Sequence, residues 1–390
     1  MKITDIRATV VNAEMRNWVF VKVETDQDGL WGWGEATLNW KTRAVCATLE
    51  DLKPLILGRD PRDIEQICRV LRKQSYYRLG IIGMTAISGI EHALWDIFGK
   101  SLGLPVWRLL GGQVRDKVKL YTHLGLGQMS SVYETFDAGP MVEKAQAVVA
   151  RGYQALKVVC IPYVHQTASP ASVRHVEKLA GTLREAVGDG VEIMVDFHGR
   201  PGTVSAALQF VRALEPASPL FCEEPIQPGD TDGMRQIVAQ ARCPIATGER
   251  LVGAAEFADL LQARAAHIIQ PDLNHCGGLL EARKIAALAE VAMAGIAPHN
   301  PNGPLAGIAA LHFAVSTPNF VIQEAMPGSV PWYHDVVRQP VQMQDGWWPV
   351  PQLPGFGVEV DEKEAARHPF RQEVLHTANA VLEDGTVVDW

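Results

Sequence analysis

The chain has 390 residues, of which 47% are apolar and 21% are charged. This balance can bury a large core, and the length exceeds that of a usual single domain, so we expect two domains or one barrel with a large addition. The formal net charge of -8, without any run of lysine and arginine, argues against nucleic acid as a partner.

The N-terminal segment MKITDIRATVV carries charges at Asp5 and Arg7, where a signal peptide needs an apolar core. No later stretch reaches the roughly 18 apolar residues of a membrane span. We therefore expect a cytoplasmic protein without a membrane partner. Six cysteines without C-x-x-C spacing argue against a disulfide framework and a zinc cage.

The first fifty residues alternate like strands, as in WVFVKVETD, which the turn DQDG follows. From about residue 41 to 110, apolar residues such as Ile87, Ile90 and Leu94 recur at helical intervals. This order of strands and then helices predicts an α+β module over residues 1–117.

From about residue 118, short apolar runs alternate with helical segments, which is typical of parallel strands joined by crossover helices. A βα unit that recurs eight times favours a closed barrel over residues 118–349, with a doubly wound sheet as the alternative. The segment from about 350 to 390 is expected to pack back on the N-terminal module. The eight predicted strands are residues 118–124, 155–159, 192–198, 219–224, 244–249, 267–272, 295–299 and 320–324.

Nearly every predicted strand from the third onward ends in an ionisable residue, at intervals of 23 (249 to 272) to 27 (196 to 223) residues. In a parallel barrel all strand carboxyl ends lie on one face, so these side chains should surround a single mouth. They are Asp196, His198, Glu223, Glu249, Asp272, His299 and Glu324.

Three of these residues, Asp196, Glu223 and Glu249, are carboxylates on adjacent strands. Hard oxygen ligands of this kind suit Mg²⁺, which is the predicted cofactor. The alternative for each is a helix cap or a partner for arginine, but three in register favour a metal site. Glu224 should alternate away from Glu223 and is not assigned as a ligand.

Asp272 beside His299 predicts a general base, because a carboxylate fixes the imidazole tautomer and raises its basicity. A lone histidine at a strand end would more often be structural. His198 lies two positions after Asp196, so we expect both side chains on one side, with His198 delivering a proton to a departing hydroxide.

Two further residues at strand ends are candidates for the site. Lys157 could neutralise the reaction intermediate or pair with one of the carboxylates. Glu324 could hydrogen-bond the substrate carboxylate if it is protonated, or serve as an ordinary salt-bridge partner.

The motifs of the second half resemble the mandelate racemase branch of the enolase superfamily, and within it the galactonate dehydratases. The likeness covers almost the whole chain. It implies an α/β fold, a modified TIM barrel of the (β/α)₇β type, with an N-terminal α+β capping domain that the C-terminal tail completes, and a homo-oligomer. The motifs are DFHGR (196–200), EEP (223–225), GER (248–250), QPDLNHCGG (270–278), APHNPNGP (297–304) and QE (323–324).

The resemblance implies that the three carboxylates bind Mg²⁺ and that His299, with Asp272, removes the proton α to the substrate carboxylate. His198 would then protonate the leaving 3-hydroxyl, and the product would be a 2-keto-3-deoxy acid. Candidate substrate contacts are Arg200 and Arg250, which end two of the motifs, and the capping residues Trp18, Trp40, Tyr76, Tyr77 and Arg78. Domain packing is the alternative for the capping residues.

Racemases of the branch carry K-x-K on the second strand, whereas Lys157 is followed by Val158 and Val159. The missing second lysine favours dehydration of an acid sugar, with D-galactonate as the leading substrate. Val159 stands where galactonate dehydratases tend to have asparagine, which leaves the sugar open. The alternatives are an epimerase, racemase or cycloisomerase of the branch, a non-catalytic descendant and a phosphate-binding aldolase.

Overall fold

The computed structural model describes residues 1–74, 76–124, 137–373 and 380–389. Three strands open the chain: β1 (Ile3–Ala13), β2 (Arg16–Thr25) and β3 (Trp31–Glu35). They form an antiparallel sheet in the order β1-β2-β3, as the alternation predicts.

Four helices follow this sheet: α1 (Thr42–Leu52), α2 (Ile64–Lys73), α3 (Gly80–Leu102) and α4 (Val106–Leu109), with a 3-10 turn at Lys53–Leu55. The long helix α3 packs directly on β3. A Cβ atom at Gly34 would lie 2.1 Å from the carbonyl oxygen of Gly89, so this crossing requires glycine.

The predicted eight parallel strands are confirmed, although most are shorter than expected. Hydrogen bonding joins them in the order β10-β9-β8-β7-β6-β5-β4-β11. A parallel bridge between Ile296 and Phe320 links the two ends of this order, so the sheet is a barrel and not a doubly wound sheet. The strands are β4 (Lys117–His123), β5 (Ala155–Val158), β6 (Glu192–Asp196), β7 (Phe221–Glu223), β8 (Ile245–Thr247), β9 (Ile268–Ile269), β10 (Gly295–Ile296) and β11 (Gln323–Glu324).

Helices connect the strands. Inside the barrel, a separate buried cluster takes one side chain from each strand or the residues beside it: Tyr121, Ala155, Met194, Phe221, Ala246, Ile268, Ala297 and Ile322. This packing closes the interior below the strand tips. The helices are α5 (Ala138–Ala150), α6 (Pro170–Val187), α7 (Val204–Leu214), α8 (Thr231–Gln240), α9 (Gly253–Gln262), α10 (Leu279–Val291) and α11 (Pro304–Ser316), with a 3-10 turn at Glu215–Ala217.

The C-terminal region contacts both halves of the chain. It contains β12 (Val337–Arg338), β13 (Trp347–Pro349), β14 (Glu359–Val360) and α12 (Glu362–Ala365). It contacts the N-terminal module through the Glu359 carboxylate, which accepts hydrogen bonds of 3.0 Å from the indoles of Trp31 and Trp33. Near its end, however, Asp389 accepts from Gln227 of the barrel at 2.7 Å.

Two buried carboxylates of the N-terminal module cap helices of the barrel. Glu91 of α3 accepts from the backbone N–H groups of Leu279 (2.9 Å) and Leu280 (2.8 Å) at the start of α10. Glu35 accepts from those of Gly303 (2.7 Å) and Ala306 (2.8 Å) at the start of α11. The module is therefore joined to the barrel by hydrogen bonds as well as by apolar packing. Among the described helices, none has the length and apolar character that a membrane crossing needs.

Candidate active site

A cavity of about 440 Å³ lies where the carboxyl ends of the barrel strands meet the N-terminal module. The barrel side contributes charged and imidazole side chains, whereas the N-terminal side contributes mostly apolar ones. The barrel residues include His123, Lys157, Asp196, His198, Glu249, Arg250, His275 and His299, and the N-terminal residues are Met15, Arg16, Leu38, Asn39, Trp40 and Ile81.

The three predicted metal ligands come together at this cavity. Asp196 and Glu223 are the last residues of β6 and β7, and Glu249 follows β8 by two residues. One oxygen atom from each lies within 4.8 Å of the others. Burial and the charge of Asp196 raise the pKa of Glu223 well above its usual value, which is the electrostatic cost of grouping these carboxylates. An oxygen-only, anionic group of this kind fits a hard divalent cation.

Lys157, the third residue of β5, lies among these carboxylates. Its Nζ atom is 2.9 Å from Oε1 of Glu223, 3.3 Å from Oδ2 of Asp196 and 3.0 Å from Oε1 of Glu324. Burial acts to lower the pKa of Lys157, but Glu223 and Glu324 hold it well above its usual value. The ammonium group is therefore charged and paired with the carboxylates, which was one of the two interpretations of the sequence.

Glu324 is also held as a carboxylate. Oε1 lies 2.6 Å from Nε2 of His123, and Oε2 accepts from the backbone N–H of Asn300 at 2.8 Å. Burial acts to raise the pKa of Glu324, but Lys157 and His123 hold it well below its usual value. The structure thus gives no support to the protonated form that the sequence analysis considered. His123 was not predicted, although it ends the first barrel strand and could have been found by the same criterion.

His299 and Asp272 form the expected pair, with 2.8 Å between Nδ1 and Oδ2. Because a carboxylate only accepts, Nδ1 carries the proton and Nε2 is the atom available to a substrate. Nε2 lies 3.5 Å from Oε2 of Glu249. Burial acts to lower the pKa of His299, but Glu249 and Asp272 raise it to about 10.

His198 reaches the cavity by a route that strand alternation did not predict. Strand β6 ends at Asp196, and His198 has a left-handed backbone with φ of 53°. The turn is held by the backbone N–H of His198, which donates to Oδ1 of Asp196 at 2.9 Å. Its Nε2 atom lies 3.3 Å from Oδ2 of Asp196. The predicted proximity is therefore present, but the expected cause is wrong.

Glu224 points away from the three candidate metal ligands, as expected. Its carboxylate accepts from the hydroxyl of Thr247 and from the backbone N–H of Gly248 (3.1 Å). Arg250 approaches Glu224 and donates to the carbonyl of His198 at 3.0 Å. Arg250 lines the cavity, so its predicted contact with substrate is sterically open.

Trp40 lines the cavity, whereas the structure does not bring the remaining predicted substrate contacts to its lining. Arg200 is buried, donates to the carbonyl of Ile161 and lies over the ring of Tyr163. Trp18 is buried against Tyr333, with 5.6 Å between ring centroids, which is the packing role that was the alternative. Tyr77 and Arg78 are exposed outside the cavity lining.

Sequence reasoning also missed Arg16 and His275, which line the cavity. Arg16 begins β2 and donates to the carbonyl of Pro301 at 2.7 Å. His275 lies three residues after Asp272, and its Nδ1 atom is 3.5 Å from Oδ2 of Asp272. The sequence signal for His275 is its place in QPDLNHCGG, three residues after the predicted Asp272.

The protein is an α/β barrel with an N-terminal capping module. Its strand tips carry a cluster of three carboxylates and a His–Asp pair, and this combination defines an enolase-type protein. Comparison with known families agrees. Residues 3–111 match the mandelate racemase / muconate lactonizing enzyme N-terminal domain, and residues 140–364 match the enolase C-terminal domain-like family. The chain belongs to the mandelate racemase and muconate lactonizing enzyme family of the enolase superfamily.

Among curated relatives, the D-galactonate dehydratase of Klebsiella pneumoniae is 35% identical over 381 residues, which cover 96% of each chain. The D-galactonate dehydratase of Ralstonia nicotianae is 36% identical and covers 100% of each chain. Among solved structures, an enolase from Agrobacterium radiobacter with bound sodium and L-malate has a TM-score of 0.90, 34% identity and full coverage of both chains.

Proposed function

We propose that this protein is a Mg²⁺-dependent hydro-lyase that removes water from an aldonic acid, with D-galactonate as the leading substrate. The observation that carries the proposal is one cavity lined by Asp196, Glu249 and His299. Glu223 lies with the two carboxylates of this lining, and Asp272 is paired with His299. The curated relatives named D-galactonate dehydratase support this choice of reaction and substrate.

Asp196, Glu223 and Glu249 would hold the cation, because they are buried oxygen donors grouped within 4.8 Å. When bound, Mg²⁺ supplies positive charge to the substrate carboxylate and so acidifies the proton on the adjacent carbon. Lys157 would share this role, since its ammonium group already lies 2.9 Å from Glu223.

His299 accepts the α proton at Nε2, while Asp272 holds the protonated Nδ1 atom and thus the orientation of the ring. His299 must first lose the proton that the Glu249 carboxylate stabilises. Neutralising Glu249 would therefore lower the pKa of His299 toward the range of a general base.

His198 donates a proton to the leaving 3-hydroxyl, so that water departs and the C2–C3 enol tautomerises to a 2-keto-3-deoxy acid. Its Nε2 atom faces the same cavity, next to Asp196. An epimerase or racemase is the second candidate. The valines that follow Lys157 supply no second base on β5, which favours elimination.

Three further proposals follow from the sequence and its family resemblance. Arg250 contacts the substrate from the barrel, and the chain forms a homo-oligomer that works in the cytoplasm. Arg200, Trp18, Tyr77 and Arg78 are further proposed substrate contacts, although none of the four lines the cavity.

The test is a dehydration screen over aldonic and aldaric acids with and without Mg²⁺, with 2-keto acids detected by semicarbazide. We expect D-galactonate to be converted only with Mg²⁺. His299→Asn should lower the rate by about 10²- to 10⁴-fold, the usual contribution of a positioned base. An epimer formed without any keto acid would refute the dehydratase.

The control for His299→Asn is its Mg²⁺ affinity, measured by calorimetry. This affinity should be retained, because His299 is not one of the three ligands. Loss of both turnover and metal binding would place His299 in the metal site instead.

A further inference from the structure

His275 joins the N-terminal module to the proposed base pair. Its Nε2 atom lies 3.1 Å from the backbone carbonyl oxygen of Thr37, and its Nδ1 atom lies 3.5 Å from Oδ2 of Asp272. The side chain is only 9% exposed. One imidazole thus spans the gap between the two halves of the chain at the catalytic cavity.

The contact with Thr37 orients the ring of His275. A carbonyl oxygen only accepts a hydrogen bond, so Nε2 must carry a proton and donate it. The ring is then held with its other nitrogen toward Asp272, whose Oδ2 atom also accepts from His299 (2.8 Å) and Asn302 (3.0 Å). The carboxylate is consequently surrounded on several sides and has little freedom to rotate.

Residues 35–37 of the N-terminal module also hold the loop that carries His299. The Thr37 hydroxyl donates to Oε1 of Glu35 at 2.6 Å, and Glu35 accepts from the backbone N–H groups of Gly303 and Ala306. Residues 35–37 therefore contact the loop after β9 through His275 and the loop after β10 through Glu35. Each of these loops bears one member of the His299–Asp272 pair.

We propose that His275 is a positioning residue through which residues 35–37 of the N-terminal module set the geometry of the His299–Asp272 pair. The inference rests on the proposed function, in which that pair removes the α proton. It adds that the module aligns the base as well as covering the substrate. Proton abstraction is then sensitive to the packing of residues 35–37 on the barrel.

The experiment compares His275→Ala with Ser88→Ala, since the Ser88 hydroxyl accepts from the backbone N–H of Gly277 at 3.1 Å and so joins the same module to the same loop, outside the cavity lining. The readout is the single-turnover rate of C2–H cleavage, identified with C2-deuterated D-galactonate or the best substrate of the screen. We expect His275→Ala to slow this step by about 10- to 100-fold, as a misplaced base does, with KM changed by less than about twofold. Ser88→Ala should leave both KM and the C2–H cleavage rate within about twofold, because it removes a contact to the loop but none to the base pair.

His275→Gln is the conservative variant, because its amide can still donate to the Thr37 carbonyl. It should recover much of the rate lost in His275→Ala, and it carries the test if the alanine variant does not fold. An unchanged cleavage rate in both His275 variants, or an equal loss in Ser88→Ala, would overturn the role of His275. A wild-type protein that dehydrates no acid sugar would refute the proposed function itself, which is a separate outcome.

Discussion

Glu223 and Glu224 are adjacent at the end of β7, but their side chains have different surroundings. Glu223 is the last residue of β7, and its carboxylate lies in the cluster with those of Asp196 and Glu249. Glu224 has a left-handed backbone with φ of 47°, and its carboxylate accepts hydrogen bonds from Thr247 and Gly248. The sequence EEP does not distinguish their roles except through alternation. Their hydrogen bonds assign the first as a candidate ligand and the second as a support for the residues that precede Glu249.

Glu223→Gln should weaken Mg²⁺ binding by at least about 100-fold, because it removes a charged oxygen ligand. Glu224→Gln is the matched control. It should weaken Mg²⁺ binding by only about tenfold, as the loss of a residue that supports a metal ligand does. Isothermal titration calorimetry measures both affinities. A larger loss in Glu224→Gln than in Glu223→Gln would contradict the assignment.

Helices of the barrel are completed by side chains distant in sequence. Helix α10 has no capping side chain at its own N-cap residue, Gly278, and the Glu91 carboxylate of α3 takes that place. A Cβ atom at Gly278 would lie 2.2 Å from Oε2 of Glu91, so glycine is required for this close approach. The N-terminal module thus stabilises an element of the barrel directly.

Glu91→Ala should lower the free energy of unfolding by about 2–4 kcal/mol, because it leaves the buried N–H groups of Leu279 and Leu280 without their acceptor. The control is Glu65→Ala, which removes an exposed carboxylate paired with Arg69 and Lys284 and should cost less than about 1 kcal/mol. Urea denaturation measures both. Equal effects would show that the cap contributes no more than a surface ion pair.

At the scale of the whole molecule, we propose a division into residues 1–117 and 118–349, with the tail 350–390 completing the first part. Strand β4 begins at Lys117, and β13 pairs with it in antiparallel register. The backbone N–H of Asn12 donates to the carbonyl of His368 at 2.8 Å, which ties the tail to β1. These contacts support the division and predict that the parts unfold together.

Acid should destabilise the folded chain through His312, which lies in α11 beneath α4. Burial lowers the pKa of His312 to about 3, and its Nδ1 atom accepts from the backbone N–H of Trp107 at 3.0 Å. Protonation would remove this acceptor. The folded state keeps the ring neutral, whereas the unfolded chain protonates it near pH 6.5. The stabilisation by neutral His312 is therefore complete above pH 6.5 and is lost as the pH falls toward 3.

The contribution of His312 to the free energy of unfolding should change by up to about 1.4 kcal/mol per pH unit. Denaturation of the wild type and of His312→Gln between pH 4 and pH 7 measures it, because the difference between the two curves isolates His312 from the carboxylates. Parallel curves would show that His312 does not titrate as its burial requires.

Much of the fold and of the candidate site follows from the sequence alone. Apolar periodicity determined the eight strands, and their spacing placed the carboxylates and His299 at one face, because all parallel strands of a barrel end together. Family motifs added the capping module. These signals are local or regular along the chain, so a single sequence can carry them.

Only the tertiary structure decided how individual side chains are oriented. The left-handed backbone at His198, the burial of Trp18 and Arg200, and the approach of His275 to Thr37 depend on single dihedral angles or on segments far apart in the chain. Spacing along the sequence reports which residues reach a strand end. It contains no information about which remote segment packs there, and that packing determines what each side chain contacts.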